Sequence, residues 1–363
     1  MDIRYISYII IILSGPILYF LSNNNRAFNA NKIYIIIICL VFVLISGLRN
    51  LTVGNDTITY FYEYNRLKTE TWENIFYNFK RAYIYGTSKD PGYNLLVKLA
   101  NTFSINFQLF LVSVAVFFFT AIGKFLYSNT KGLRDLVFAF VLYVSLFQII
   151  GLSGIRQQIA TAFALFSLPF FNNKSHAKFI ILILIGSTIH ISLLLYLPFY
   201  FLNHFSAKMV KYIYFISFLL LPIMFIYNRS VIGFMGSLTT NEYYAEYAYS
   251  QRGGNPIIYF LLVILVGIVG ALFIRFNINE KNKIYFLAIM LMIIFAPLVY
   301  IDGALIRIGQ YFSLFMMVFI PFIINKIKVG PLERNLVFAL PILILIILSL
   351  RTEFEYSFFW QTY

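Results

Sequence analysis

Apolar runs of roughly 16 to 22 residues recur along the whole chain, each about the length a helix needs to cross roughly 30 Å of hydrocarbon. They predict spanning helices near 5–21, 33–48, 107–127, 135–151, 155–171, 212–228, 256–275, 284–301, 305–325 and 335–350. The apolar stretch 178–203 is too long for one comfortable crossing. With Gly186, His190 and Pro198 inside it, it reads as two short helices meeting near His190. Residues 93–103 are too short to cross and read as a re-entrant or interface helix. Between Thr57 and Gly86 aromatic and charged residues are interleaved, the pattern of amphipathic helices lying on a membrane surface. The prediction is an all-α polytopic integral membrane protein with about twelve transmembrane helices, plus extracytoplasmic amphipathic and re-entrant helices. No room is left for a soluble domain: residues 1–363 form one transmembrane domain, with an extracytoplasmic amphipathic segment at 49–92 and an extracytoplasmic loop at 229–255.

Composition agrees, since 61% of the 363 residues are hydrophobic and only 12% are charged. The net charge of +14 does not point to nucleic acid. The cations stand singly between apolar runs rather than in a basic domain, which suits a bilayer with anionic headgroups. Cys39, the one cysteine, excludes an intrachain disulfide and a cysteine metal site. Lysine-bearing short loops mark the cytoplasmic side. The loops with Lys32, Lys131, Lys174, Lys208, Lys281 and Lys326 share one face if 178–203 crosses twice. The opposite, extracytoplasmic face then receives 49–92, the turn at 151–156, the His190 apex, 229–255, and the turn from Asp302 to Arg307.

That partition separates the two basic residue types. Of 13 arginines, nine fall outside (4, 49, 66, 81, 156, 229, 252, 307 and 351), while most lysines fall inside. A guanidinium keeps its charge and grips phosphate through a planar fork of donors, so an outer cluster suggests a phosphate-bearing ligand. Arg4, Arg66, Arg229 and Arg351 lie beside a terminus or polar loop and read as interface anchors. Arg49, Arg156 and Arg307 flank apolar helices tightly and are the candidate diphosphate clamps, joined by Arg252 of the outer loop. The rings of Tyr60, Tyr93 and Tyr244, with Gln157, are candidate glycan contacts; the alternative for the tyrosines is a belt at headgroup depth.

Four short motifs then stand in order. Gly47-Leu-Arg49 followed by Gly54-Asn-Asp56-Thr and Tyr60 resembles the opening signature of the EpsG/Wzy-type polysaccharide polymerases. Asp90-Pro-Gly92-Tyr93 resembles that family's acidic, glycine, aromatic element, with aspartate where glutamate is expected. Gly154-Ile-Arg156-Gln157-Gln-Ile-Ala160 resembles its Ile-Arg-Gln helix start, and Ile189-His190-Ile-Ser192 its Ile-His-x-Ser element. The resemblance spans about 47–192; the second half matches only in hydropathy. It implies an enzyme of the bacterial inner membrane, its active site facing the periplasm or exterior. Such an enzyme transfers a growing glycan from undecaprenyl diphosphate onto the non-reducing end of the next lipid-linked oligosaccharide repeat. A flippase and a chain-length regulator are the partners it implies.

In that reaction a sugar hydroxyl attacks an anomeric carbon while a diphosphate leaves, so charge on the leaving group must be stabilised. Arginines supply this without a metal; no Asp-x-Asp motif occurs, and neither a metal nor another cofactor is expected. A single displacement needs one general base. His190 and Asp56 are the candidates, against a merely hydrogen-bonded histidine and a helix-capping or Arg49-orienting aspartate. Asp302 is expected to form a structural ion pair with Arg307. The rival classes are a lipid-linked oligosaccharide flippase and an O-antigen ligase or other lipid-carrier glycosyltransferase.

Overall fold

The computed structural model describes residues 2–24, 29–86, 90–171, 175–237, 246–250 and 256–361. Arg252 and Tyr244, with residues 238–245 and 251–255 of the expected 229–255 loop, lie outside the described residues. Within those residues the protein is helical throughout; the only β pairing is an isolated bridge between Arg49 and Phe358.

Seven described helices are long and apolar enough to cross a bilayer: Ile3–Ser22, Ala30–Gly47, Phe107–Asn129, Ala207–Ile226, Ile257–Arg275, Lys283–Tyr300 and Leu332–Ser349. An eighth crossing is available if Gly303–Ser313 and Met316–Ile324, bent by 48°, act as one span. Leu219, Ile226, Leu261, Leu272, Leu336 and Leu340 are largely exposed on these helices. Apolar surface on that scale is at home in lipid rather than water, and the chain is a polytopic membrane protein. The remaining four expected crossings are helical but shorter or interrupted. Leu133–Leu146 and Gln148–Ser153 are separated at Phe147, and Ile155–Ser167 runs into a 3-10 turn at Leu168–Phe170. His176–Ile189 is followed, after His190, by a 3-10 turn at Ile191–Leu195 and the helix Tyr196–Leu202. The expected total of about twelve therefore rests on these four short or broken elements.

The expected short helix is present at Pro91–Thr102, and the amphipathic segment forms Thr57–Thr69 and Trp72–Tyr85. In the second of these Ile75 and Ala82 are buried while Phe76, Tyr77, Tyr83, Ile84 and Tyr85 are exposed. Thr71 starts it by accepting the Asn74 N–H, and Gly86 ends it in a left-handed cap.

The chain gathers into two compact units. The first contains residues 1–70, 96–166 and 317–363. Its core is aromatic: Phe42 stacks on Phe119 at 5.4 Å and meets Tyr143 at 5.1 Å. Hydrogen bonds sort its helix termini into two ends. Asn29 donates to Tyr127 Oη at 3.4 Å and Asn325 to Asp135 at 2.8 Å, joining the ends rich in lysine. At the other end Arg4 donates to the Ser349 and Thr352 carbonyls, and Asn50 N–H to the Ser357 carbonyl at 2.9 Å.

The second unit contains residues 71–95 and 167–316. Tyr196, Phe312 and Phe295 form a parallel stack, with centroid distances of 5.9 and 5.8 Å. This stack packs the segment after His190 against the helix Ile306–Ser313, where Ser192 Oγ and Tyr311 Oη are 3.1 Å apart. At its lysine-rich end Ala207 N–H donates to Glu280 at 2.8 Å and Lys283 to the Phe205 carbonyl at 2.8 Å. Glu280 is held below its ordinary value, first by the Lys283 hydrogen bond and then by the Ala207 N–H.

Candidate functional site

In the first unit the segment 49–57 forms a tight loop between the helix Ala30–Gly47 and the helix Thr57–Thr69. Gly54 sits at φ +89, and a Cβ there would lie 2.4 Å from the Leu152 carbonyl oxygen. Only glycine fits so close to the neighbouring backbone at that φ. The loop is fixed to the helix Gln148–Ser153 by Asn55 N–H donating to Ser153 Oγ at 3.2 Å. Thr57 Oγ donates to the Val53 carbonyl at 2.7 Å. Asp56 occupies the cap position of the following helix, but its side chain does not make the capping bond expected of it.

Arg49 lies beneath this loop with 1% of its surface exposed. Its guanidinium donates to the Ser46 carbonyl and, at 3.4 Å, to Thr57 Oγ. The C-terminal segment closes the same place from the other side. Tyr356 Oη donates to the Ile45 carbonyl at 2.7 Å, and Phe359 N–H to the Leu48 carbonyl at 2.9 Å. Burial pushes the Tyr356 phenol up, and the Arg49 charge only partly counters it. A Tyr356→Phe variant keeps the ring and loses the bond to Ile45. We expect it to lower stability by about 1 kcal/mol, read as a lower unfolding temperature of the purified protein in detergent.

Arg156 is the second residue of the helix Ile155–Ser167, directly after the break at Gly154. Its Nη2 donates to Glu63 Oε2 at 2.7 Å, and its guanidinium lies over the Tyr60 ring at 5.5 Å. Tyr60 and Glu63 are three residues apart on one helix and therefore share a face. Arg156 and Glu63 keep 17% and 20% of their side-chain surface exposed, so this pair, unlike Arg49, is reachable from outside. Gln157, expected to touch glycan, is instead buried, its amide 3.5 Å from Thr161 Oγ.

In the second unit the break after Ile189 places His190 in extended backbone, φ −154 and ψ 108. Asp90 explains what holds it there. His190 Nδ1–H donates to Asp90 Oδ2 at 3.1 Å, and Asp90 Oδ1 accepts the Ile191 N–H at 3.0 Å. Both carboxylate oxygens are thereby used on two successive residues of the break. Asp90 has φ +47, a left-handed conformation that aspartate tolerates better than most residues. Its carbonyl accepts the Tyr93 N–H at 3.0 Å, starting the helix Pro91–Thr102. Gly92 lets this helix start approach the break: a Cβ there would stand 2.1 Å from Thr188 Oγ1. Burial raises the nearby Tyr83 phenol, and the Asp90 charge raises it further. The His190 ring keeps 16% of its surface exposed against 4% for Asp90. With Nδ1–H bound to a carboxylate, Nε2 is the ring atom that can take a proton from outside.

The remaining expected residues divide between the units. Arg49, Asp56, Tyr60, Arg156 and Gln157 belong to the first, and Tyr93, His190 and Arg307 to the second. Tyr93 is fully buried and Tyr60 nearly so; both rings are packed inside the protein rather than presented at a surface. Arg307 is half-buried in the first turn of Ile306–Ser313. Asp302, expected to pair with Arg307, accepts Ser250 Oγ at 2.6 Å and caps the turn at Ala304 N at 2.8 Å. An acidic residue in a polar turn caps the local backbone readily, which satisfies its oxygens without the ion pair. Sequence reasoning did not single out Glu63 or give Asp90 a role. The Asp90 motif was a signal for the second; nothing local points from Glu63, the one acid of its helix, to Arg156.

Residues 32–363, nearly the whole chain, match the model of the EpsG family. No curated protein and no solved structure matches the chain.

Proposed function

Because the chain belongs to the EpsG family, a Wzy-type polymerase family, we propose that this polytopic membrane protein polymerises a polysaccharide by a glycosyl transfer between lipid-linked repeats. The growing glycan leaves undecaprenyl diphosphate and joins the non-reducing end of the next repeat. The acceptor hydroxyl oxygen forms the new bond to the anomeric carbon as the bond to the diphosphate oxygen breaks. The hydroxyl proton passes to His190 Nε2, and the bonding pair leaves with the diphosphate.

The observation that carries this reading is the Asp90–His190 pair. A carboxylate on Nδ1 fixes the ring and its tautomer and stabilises the imidazolium that forms when Nε2 takes the proton. This makes His190 the general base and Asp90 the residue that positions it. Asp56, the other candidate, is assigned to the turn that starts its helix, where it stands at the cap position.

Arg156 is the best-placed phosphate ligand, since its guanidinium is held on an aromatic face and its side chain keeps some surface exposed. Arg307 and Arg252 are further candidates. Arg49 supports the loop that carries the family's opening motif, and its charge contributes field rather than direct contact. The lysine-rich ends of both units face the cytoplasm in this reading. The substrate-facing side is then the outer side of the bacterial inner membrane, where flippase-delivered repeats arrive.

The test is glycan chain length on gels from a deletion strain carrying wild type, Arg156→Ala or Arg156→Lys, with membrane levels matched. Deletion is expected to leave single-repeat glycans. Arg156→Ala is expected to restore no ladder, and Arg156→Lys only a short one, because an ammonium is a point charge without the fork. Loss of all surface glycan on deletion would instead identify a flippase or ligase.

A further inference from the structure

We propose that Glu63 is a stand-in for phosphate: its carboxylate holds Arg156 Nη2 before substrate binds and gives it up when a diphosphate arrives. This rests on the reading of Arg156 as a phosphate ligand. Three features of the geometry support it. First, Glu63 accepts Arg156 Nη2 at 2.7 Å, the charge-assisted hydrogen bond that a phosphate oxygen would also make. Second, the two groups retain 17% and 20% of their side-chain surface, so the pair is reachable and is not locked in the interior. The pair is mostly buried, and the surface it keeps is the edge by which a competing anion would reach it. Third, the guanidinium does not depend on Glu63 for its position. Tyr60, on the same helix face and itself buried, carries the guanidinium over its ring at 5.5 Å. Removing the carboxylate therefore leaves the fork presented rather than collapsed.

The stand-in has a physical purpose. An arginine at the edge of an apolar helix is costly without a partner, and a fixed carboxylate lowers that cost in the absence of substrate. A diphosphate carries more negative charge than one carboxylate and offers several oxygens to the same fork, so it displaces Glu63 and not the reverse. Glu63 is thus a positioning residue. It sets how readily Arg156 accepts phosphate and also how readily the spent lipid diphosphate is released.

The experiment measures binding of farnesyl diphosphate to the full-length protein in detergent micelles, by titration calorimetry, for wild type, Glu63→Gln, Glu63→Asp, Arg156→Gln and the double variant Glu63→Gln/Arg156→Gln. Glu63→Gln keeps the shape and removes the competing charge. It is expected to bind the probe about three- to tenfold more tightly, since one competing charge-assisted hydrogen bond is removed. Glu63→Asp, which keeps a charge, is expected to stay near wild type, and the double variant to lose the gain. In cells Glu63→Gln is expected to give shorter ladders, because the spent carrier is released more slowly. Unchanged or weaker binding by a folded Glu63→Gln, with Arg156→Gln weaker than wild type, overturns the stand-in and leaves Arg156 as the phosphate ligand. If Arg156→Gln binds as wild type does, the phosphate reading of Arg156 itself fails. A Glu63→Gln variant that unfolds at lower temperature, and is rescued by Glu63→Asp without any affinity change, identifies a structural ion pair and also overturns the proposal.

Discussion

Alanine at position 190 is expected to reduce polymerisation by about 10²- to 10⁴-fold, the range a general base contributes, while leaving the protein in the membrane at normal levels. The expectation follows from what His190 does and does not hold together. Its backbone N–H donates to the Gly186 carbonyl, a bond that alanine retains. Its side chain makes one bond, to Asp90, and Asp90 keeps a second, to the Ile191 N–H, after the imidazole is gone. The break between Ile189 and Ile191 is therefore still tied to the start of Pro91–Thr102, and the loss is chemical rather than structural. Asp90→Asn separates the two parts of the dyad. The amide tolerates the left-handed backbone of residue 90 and has one oxygen to share between Nδ1–H and the Ile191 N–H, where the carboxylate has two. A loss smaller than that of His190→Ala is expected, about tenfold to a hundredfold, because the ring remains but its tautomer and orientation are no longer fixed. The measurement is repeat number per chain on gels together with initial rate on lipid-linked repeats in isolated membranes. A His190→Ala enzyme with wild-type rate would remove the base from this mechanism.

The part of this architecture that could be read from the chain alone is the part that depends on local pattern. The break near His190 was legible because an apolar stretch too long for one crossing contained Gly186 and Pro198, and the structure has two short helical pieces there. The two surface helices between Thr57 and Tyr85 were legible from interleaved aromatic and charged residues. What escaped was pairing at a distance. Asp90 and His190 are a hundred residues apart, and Glu63 and Arg156 ninety-three, and no periodicity relates members of such pairs. Asp90 was singled out only by its motif, and aspartate in place of glutamate obscured its role. A residue that must adopt φ +47 and still reach two donors is better served by the shorter side chain. Continuous hydropathy also concealed the interruptions at Phe147 and between Ser313 and Met316, because apolar residues fill a broken helix as readily as an unbroken one. Arg49 shows the opposite error. A cation at the end of an apolar run was expected to face a ligand, but here the loop 50–57 and the C-terminal segment fold over it.

That covering loop leads to the second large effect, expected from Gly54→Ala. The new Cβ would meet a carbonyl oxygen of Leu152 at 2.4 Å and its carbon at 2.9 Å, and neither can rotate away as a side chain could. Alanine at φ +89 adds a conformational cost of about 1–2 kcal/mol, and relieving the overlap requires the loop or the helix Gln148–Ser153 to move. Overpacking against fixed backbone costs about 1–3 kcal/mol more. Movement on either side propagates directly to the chemistry. The loop carries Thr57, which bonds Arg49, and leads into the helix bearing Tyr60 and Glu63; Ser153 stands three residues before Arg156. We therefore expect Gly54→Ala to lower the unfolding temperature of the purified protein and to shorten the glycan ladder even where membrane levels are restored by higher expression. Asn55→Ala is the control. Its side chain is exposed and its bond to Ser153 is made by backbone N–H, so the substitution leaves both the turn and the anchoring bond in place. A Gly54→Ala protein that matches Asn55→Ala in both measurements would show that the close contact with Leu152 does not hold the Arg156 helix start in register.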